Sequence, residues 1–422
     1  MEDLREFENR LMSALPYAFR FTAEEALRSY QESRVMLHLY CNALRASKLP
    51  LLNGKEPMVV AFGSFGRLDG SVLLSDYDVV FLYSGPPASD YVNEVQAYIR
   101  RLVSANEAFP FDHRPQIVDG SFDFSRSPAY PILSTVELLA EPKSIRSLQV
   151  LTEGRCLTDE SQLRTLRENI LNDLGFSQDS LTLDLTSLRD GLAALKSAFL
   201  GSFKIRLATE PSELRNRKIL KLMALREFFY LVTLLSIAEV ALVVAVGACS
   251  VAKAATLLSA PMFLKLLSLS DPQEAFARVL RQIPSNLSTG LYERIEKQVE
   301  NAGDIANLMV DGQESELPRV LVGVRTITLG ALIPYDKLLQ KLHSPGFLDQ
   351  LDKMSSDVTT WLGNRTYMEI LSLREEMLMC TKALARAVLG IVDVVQRSKS
   401  SVTCQGAQDA LEEIISYSFE TA

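Results

Sequence analysis

Apolar residues along this chain follow two patterns, and the change between them predicts where a sheet lies. Two short apolar runs, Met58–Phe62 and 79–83, are bounded by turn-forming residues, which is typical of buried strands. A third strand is predicted at 116–124, after a helix at 89–105 whose apolar side chains recur at helical spacing. Strands that enclose one helix in this order indicate a small mixed sheet.

Helical periodicity dominates on both sides of this sheet region. Residues 2–48 have the apolar spacing of amphipathic helices, and turn-forming residues at 49–57 end them. After residue 134 nearly every predicted element is a helix. The first of these predicted helices begins at 135. The others cover 159–174, 184–203, 214–260, 291–309, 320–343 and 367–397.

The succession of elements predicts an α+β protein in three parts. N-terminal helices occupy 1–50, a small mixed-sheet core occupies 51–158, and a large all-helical domain occupies 159–422. A chain of 422 residues is long enough for two to three domains, because a domain usually has about 150 residues.

One apolar stretch, 228–251, is long enough to span a bilayer. Its single charged residue is Glu239, near the centre, where an ionisable group is costly in a membrane. Arg226 and Lys253 would flank the span. We favour a helix buried in a protein core, or two helices broken near Gly247, over a membrane segment.

Charge and cysteine content narrow the classes of function. The 44 basic and 52 acidic residues give a net charge of -8, which argues against sequence-independent binding of nucleic acid. Five scattered cysteines form no C-x-x-C pair, which argues against a zinc site or a disulfide framework. The first residues are charged and mixed, unlike a signal peptide. These features favour a cytoplasmic protein.

The first predicted strand leads into a glycine-rich turn that suits phosphate binding. Gly63 and Gly66 would let backbone N–H groups approach phosphate oxygens, and Ser64 adds a hydroxyl donor. Arg67 suits a β- or γ-phosphate or a nearby carboxylate, because its guanidinium group can bind in bidentate geometry. Such a turn is common without a ligand, so its meaning depends on the carboxylates that follow.

Two aspartates alternate at the start of the second predicted strand. Asp76 and Asp78 lie at positions i and i+2, so their carboxylates project from the same face. Close carboxylates repel unless a cation lies between them, and Mg²⁺ binds through one or two carboxylates and substrate phosphates. Mn²⁺ would suit the same ligands. The pair predicts a metal-dependent site for nucleotidyl transfer.

A third carboxylate would complete a two-metal site and orient the attacking hydroxyl group. Asp119 and Asp123 both lie on the third predicted strand, four residues apart and therefore on one face. We favour Asp119, because the residues before it are typical of a buried strand, with Asp123 as the alternative ligand. Either could instead be an exposed strand residue.

The motifs at 63–67 and 75–78 together resemble the polymerase-beta-type nucleotidyltransferase superfamily. More narrowly, they resemble the branch of the nitrogen-signalling protein uridylyltransferases. The stretch at 151–157 is similar to that branch's L-x-E-x-R-x-L helix, and 184–190 is similar to the segment that opens its helical domain. The resemblance is specific over 58–83 and looser to about residue 200.

By position, the resemblance implies that Ser64 contacts phosphate and that Asp76 and Asp78 ligate magnesium. The full-length uridylyltransferases also have a His-Asp hydrolase domain, which needs several histidines. This chain has three histidines, which are far apart, and its helical end lacks the pattern of a regulatory amino-acid-binding tail. The resemblance therefore covers the transferase part alone.

The function expected from the sequence is Mg²⁺-dependent transfer of a nucleoside monophosphate from a nucleoside triphosphate, such as ATP, to a hydroxyl group. The acceptor is a protein or a small molecule, and the helical domain would select it. The alternative is a catalytically silent nucleotide-binding protein that acts as a regulator or scaffold through its helical domain. We favour the enzyme.

Overall fold

The structure is a computed structural model. It describes residues 5–9, 20–46, 49, 51, 56–68, 78–83, 94, 97, 132–134, 150–174, 176, 227–269, 274–302, 316–342, 344, 346–347, 365–399 and 404–417. The strands are β1 (Met58–Phe62), β2 (Asp78–Tyr83), β3 (Ile132–Ser134) and β4 (Arg155–Cys156). The helices are α1 (Arg20–Ala46), α2 (Gly63–Gly66), α3 (Glu160–Asp173), α4 (Glu227–Ala245), α5 (Val251–Leu258), α6 (Met262–Ser268), α7 (Ala275–Leu280), α8 (Ser285–Asn301), α9 (Glu316–Leu342), α10 (Arg365–Ser398) and α11 (Gln405–Ser416).

The four strands form one mixed sheet in the order β3-β2-β1-β4. Strand β1 runs antiparallel to β2 and β4, whereas β2 and β3 are parallel. All five residues of β1 are buried, which explains its continuous apolar sequence. The strands predicted at Met58–Phe62 and 79–83 are confirmed. The strand predicted at 116–124 lies outside the described residues.

The chain divides into two compact units. The sheet unit comprises Ala26–Leu174 and Val251–Met262, and the helical unit comprises Met1–Glu25, Gly175–Ser250 and Phe263–Ala422. Most described residues are helical and the sheet is small, so the α+β class predicted from the sequence holds in this coarse sense. The domain boundaries predicted at 50/51 and 158/159 stay predictions.

Helix α3 shows why local signals in the sheet unit were informative. The Asp159 carboxylate accepts a hydrogen bond from the Ser161 N–H at 2.9 Å, which satisfies a free donor at the helix start. Buried Leu163, Leu166 and Ile170 follow at helical spacing, and α3 packs against α5. The helix predicted at 159–174 is confirmed.

Helix α4 is the core of the helical unit. Every residue of α4 except Tyr230 is buried. In the part of the chain that the structure describes, it is the single helix long and apolar enough to cross a membrane, and the protein's own side chains cover it. The helix ends at Ala245, and Gly247 adopts a left-handed φ of 69°. The sequence-based alternative of two helices broken near Gly247 is therefore confirmed.

Two buried glutamates lie on α4 in different surroundings. Glu227 receives hydrogen bonds from Arg374 Nε at 2.7 Å and Nη2 at 2.8 Å, and from the Tyr417 hydroxyl at 3.4 Å. Glu239 is 1% exposed, and the Ser268 hydroxyl donates to its Oε2, whereas its Oε1 has no hydrogen-bond partner among the residues that the structure describes. Burial, with a smaller contribution from the nearby charge of Glu274, raises the pKa of Glu239 to about 8.

Candidate functional site

Strand β1 leads directly into the turn that the sequence marks as a phosphate site. Gly63 has a left-handed φ of 64°, a conformation that glycine adopts without steric cost. The Arg67 N–H donates to Gly63 O at 2.9 Å and closes helix α2 into a single turn. Leu68, immediately after, has a φ of 62°, which is uncommon for a residue with a side chain. Residues 63–68 thus form a single tight helical turn with a left-handed residue at each end.

Gly66 lies against backbone on two sides. A Cβ atom at this position would lie 2.5 Å from Glu153 O and 2.6 Å from Ala61 O, closer than such atoms approach. The sequence predicted that Gly66 gives phosphate access to the backbone. The structure adds a packing reason, because only glycine lets the turn lie so close to residues 150–154.

The side chain of Glu153 contacts both ends of this turn. Its Oε2 accepts a hydrogen bond from the Gly63 N–H at 3.2 Å, and its Oε1 lies 3.1 Å from Arg67 Nη1. The Arg67 side chain is 3% exposed and that of Glu153 is 16% exposed. Of the two partners predicted for Arg67, phosphate or a nearby carboxylate, the described residues provide the carboxylate.

Two buried arginines hold the segment that carries Glu153. Arg167 Nε donates to Val150 O at 3.0 Å, and its Nη2 donates to Gly154 O. Arg155 Nη2 donates to Ser259 O. Burial, together with the positive charge of Arg155, lowers the pKa of Arg167 to about 9. These bonds fix the backbone on either side of Glu153.

The stretch at 151–157 is not the continuous helix that the resemblance implied. The helical turn ends at Thr152, and Arg155 and Cys156 form strand β4 beside Val60 and Ala61. A Cβ atom at Gly154 would lie 3.0 Å from Val150 O, so glycine allows the tight bend between turn and strand. Backbone pairing with β1 outweighs the helical spacing of the apolar residues here.

The sheet brings one predicted metal ligand to the glycine turn. Asp78 is the first residue of β2, and its Cα is paired with that of Phe62, the residue before Gly63. Paired Cα atoms in antiparallel strands lie about 5 Å apart. The backbones of Gly63, Ser64 and Asp78 therefore lie at the same end of two adjacent strands. The positions of the Ser64 and Asp78 side chains lie outside what the structure describes.

The other predicted ligands also lie outside the described residues, namely Asp76, Asp119 and the alternative Asp123. Within the described ranges, no three His, Cys, Asp or Glu side chains form a group that could hold a metal ion. The predicted set of magnesium ligands stays a prediction, and the position of Asp78 is the part of it that the backbone addresses.

Two thiols of the sheet unit serve packing and backbone bonding. Cys41 Sγ donates to Leu157 O at 3.2 Å, and Cys156 Sγ accepts from the Asp159 N–H at 3.1 Å. Burial raises the pKa of both thiols, so the thiolate, which is the nucleophilic form, is disfavoured. Their surroundings do not suit cysteine nucleophiles.

Sequence reasoning missed the roles of Glu153, Arg155 and Arg167. Glu153 lies 90 residues from its partner Gly63, and no local periodicity reports a contact between such distant residues. The buried arginines gave no signal either, because arginine is usually exposed. Neither a family model nor a curated protein sequence matches the chain.

Proposed function

We propose that this protein is a Mg²⁺-dependent nucleotidyltransferase that moves a nucleoside monophosphate from a nucleoside triphosphate to a hydroxyl acceptor. The observation that carries the proposal is the pairing of Asp78 with Phe62 directly before the Gly63 turn. A turn suited to phosphate and a strand that begins with a candidate metal ligand are thereby adjacent. The mixed sheet and the resemblance to polymerase-beta-type nucleotidyltransferases support the same assignment.

Each residue has a defined part in the proposed reaction. The Gly63–Gly66 turn and the Ser64 hydroxyl bind the β- and γ-phosphates, and Asp76 and Asp78 hold the metal. Bound Mg²⁺, or Mn²⁺, would neutralise charge on the phosphates during in-line displacement. Asp119, or Asp123 in its place, accepts the proton of the acceptor hydroxyl. The acceptor oxygen forms a bond to the α-phosphorus, the bond from that phosphorus to the bridging oxygen breaks, and pyrophosphate leaves.

Net charge and the burial of α4 narrow the proposed acceptor and location. The net charge of -8 disfavours nucleic acid as the acceptor. The burial of α4 by its own fold favours a core helix over a membrane anchor, and we propose a cytoplasmic location. A protein side chain or a small molecule is the proposed acceptor.

Transfer of label tests the proposal. The full-length protein is incubated with Mg²⁺, cell extract and each of ATP, UTP, GTP and CTP labelled at the α-phosphate. We expect one of them to label an acceptor in the extract. Asp76→Asn and Asp78→Asn should each reduce labelling by at least 100-fold, because one charge-bearing metal ligand is lost. The matched control, Asp173→Asn at an exposed end of α3, should leave labelling unchanged.

Two results would count against transfer. No labelling from any of the four triphosphates would contradict the enzyme. Labelling that persists in Asp76→Asn and Asp78→Asn would contradict the assigned site. Nucleotide binding without transfer would instead support the catalytically silent alternative.

A further inference from the structure

We infer that Glu153 is a positioning residue that clamps the nucleotide-binding turn through Gly63 and Arg67. The inference rests on the proposed function for the ligand, a magnesium-bound nucleoside triphosphate. It also reassigns Arg67 from contact with phosphate to support of the turn.

The clamp follows from two contacts made by one carboxylate. Oε2 accepts a hydrogen bond from the backbone N–H of Gly63, at the start of the turn. Oε1 forms an ion pair with the guanidinium group of Arg67, the residue directly after the turn. One rigid group thus joins both ends of the turn and sets the distance between them. Arg67 is 3% exposed, so its guanidinium is enclosed in the protein, whereas a nucleotide phosphate would have to approach from solvent.

Two buried arginines hold the segment that carries Glu153. Arg167 bonds to Val150 O and Gly154 O, which flank Glu153 on its two sides. Arg155 ties the same segment to Ser259 O. The backbone that carries the Glu153 carboxylate is therefore held in place. Movement of the turn would break charge-assisted hydrogen bonds that are largely shielded from solvent, where such bonds are strong.

The turn has little room to relax. A Cβ atom at Gly66 would lie 2.5 Å from Glu153 O, so the turn and the Glu153 backbone are already in close contact. Leu68 keeps a left-handed φ of 62° directly after Arg67. Such strained conformations persist where the surrounding contacts over-determine them. The carboxylate of Glu153 contacts Gly63 and Arg67, directly before Leu68, and adds to the backbone hydrogen bond from Arg67 N–H to Gly63 O.

Hydrogen exchange tests the clamp without any nucleotide. In the full-length protein, Glu153→Gln keeps an oxygen that can accept from Gly63 but loses the ion pair with Arg67. We expect amides at 63–68 to exchange about tenfold faster, the effect of one lost charge-assisted hydrogen bond. Amides in α10 should be unchanged. The matched control, Glu168→Gln on α3, should leave 63–68 unchanged.

Arg67→Lys provides a second variant that keeps the positive charge. It should speed exchange at 63–68 in the same direction, because an ammonium group lacks the planar fork of guanidinium. Unchanged exchange at 63–68 in both folded variants would overturn the clamp. If Glu153→Gln does not fold, the result for Arg67→Lys decides the question alone.

Binding of Mg²⁺·ATP, UTP, GTP and CTP then tests the link to nucleotide. We expect Glu153→Gln to weaken binding of the preferred triphosphate about tenfold, with a partial loss in Arg67→Lys. Tighter binding in Glu153→Gln would mean that the carboxylate competes with phosphate for Gly63, and equal binding would mean that the clamp does not serve the ligand. Either result overturns the inference. If the wild-type protein binds none of the four triphosphates, the proposed function is wrong. The hydrogen-exchange experiment still tests the clamp, because it needs no nucleotide.

Discussion

Charged side chains that are buried or largely buried serve different purposes in the two units. In the sheet unit, Glu153, Arg155 and Arg167 bond mainly to backbone atoms and hold a turn and a short strand in place. In the helical unit, Glu227 and Arg374 bond to each other through their side chains and join two helices. Charged side chains that hold a loop in place determine the form of a surface. Charged side chains that join helices stabilise a core. The proposed nucleotide site lies in the sheet unit, at the turn that these charged side chains hold.

The largest effect is expected in the helical unit. Arg374→Ala leaves the Glu227 carboxylate buried without its bidentate partner, which should cost about 3–5 kcal/mol of unfolding free energy. Chemical denaturation measures this loss. The double variant Glu227→Gln, Arg374→Met should recover most of it, because neither residue then leaves an uncompensated charge in the core, and the glutamine oxygen can still accept from Tyr417. A loss below 1 kcal/mol for Arg374→Ala would contradict the role of this ion pair as a core link.

Removing the charge of Glu239, on the same helix, should stabilise the protein, whereas Arg374→Ala destabilises it. The pKa of Glu239 is about 8 in the folded protein and near 4.5 when exposed, so the folded state binds more protons between these values. Unfolding free energy should therefore fall as pH rises from 4.5 to 8. Glu239→Gln removes this dependence, and should match the wild-type protein below pH 4.5 and exceed it by a few kcal/mol above pH 8.

Thermal unfolding of the two proteins across this pH range checks the prediction, and Glu227→Gln provides a second buried glutamate for comparison. Because Glu227 has a cationic partner, its substitution should destabilise the protein. A constant difference between wild type and Glu239→Gln at all pH values would show that Glu239 does not titrate in the folded protein as described.

A smaller effect is expected at the turn of the sheet unit. Gly66→Ala introduces a methyl group 2.5 Å from Glu153 O, and should cost about 1–3 kcal/mol through strain. Gly290→Ala is the matched control, because a Cβ atom at this exposed position of α8 would meet nothing within 4 Å. It should stabilise the protein by about 0.5–1 kcal/mol through helix propensity. Equal effects at both glycines, measured by denaturation, would contradict the close contact at Gly66.

Local sequence patterns predicted the elements that depend on local interactions. Strand β1 is buried along its whole length, so its apolar run predicted its bounds, and the helical pattern over 159–174 predicted α3. The break between α4 and α5 followed from Gly247. The short helices α6 and α7 were missed, because few turns give a weak periodic signal. Helix α11 was also missed, although its buried residues recur at helical spacing.

Long-range contacts were beyond the reach of the sequence. Strand β4 was predicted as part of a helix, because its pairing with Val60 and Ala61 has no local signature. The adjacency of Gly63 and Asp78 could be predicted, since it depends on two neighbouring strands. The engagement of Arg67 by Glu153 could not be chosen over phosphate, because both partners suit a guanidinium group.

The most direct test of the central claim is calorimetric titration of the full-length protein with each of the four nucleoside triphosphates, with and without Mg²⁺. We expect one triphosphate to bind the wild-type protein when Mg²⁺ is present. In the double variant Asp76→Asn, Asp78→Asn, that binding should weaken at least tenfold, and in the control Asp173→Asn it should be unchanged. Absence of binding to the wild-type protein, or equal binding to the double variant, would contradict a magnesium–nucleotide site at the Gly63 turn.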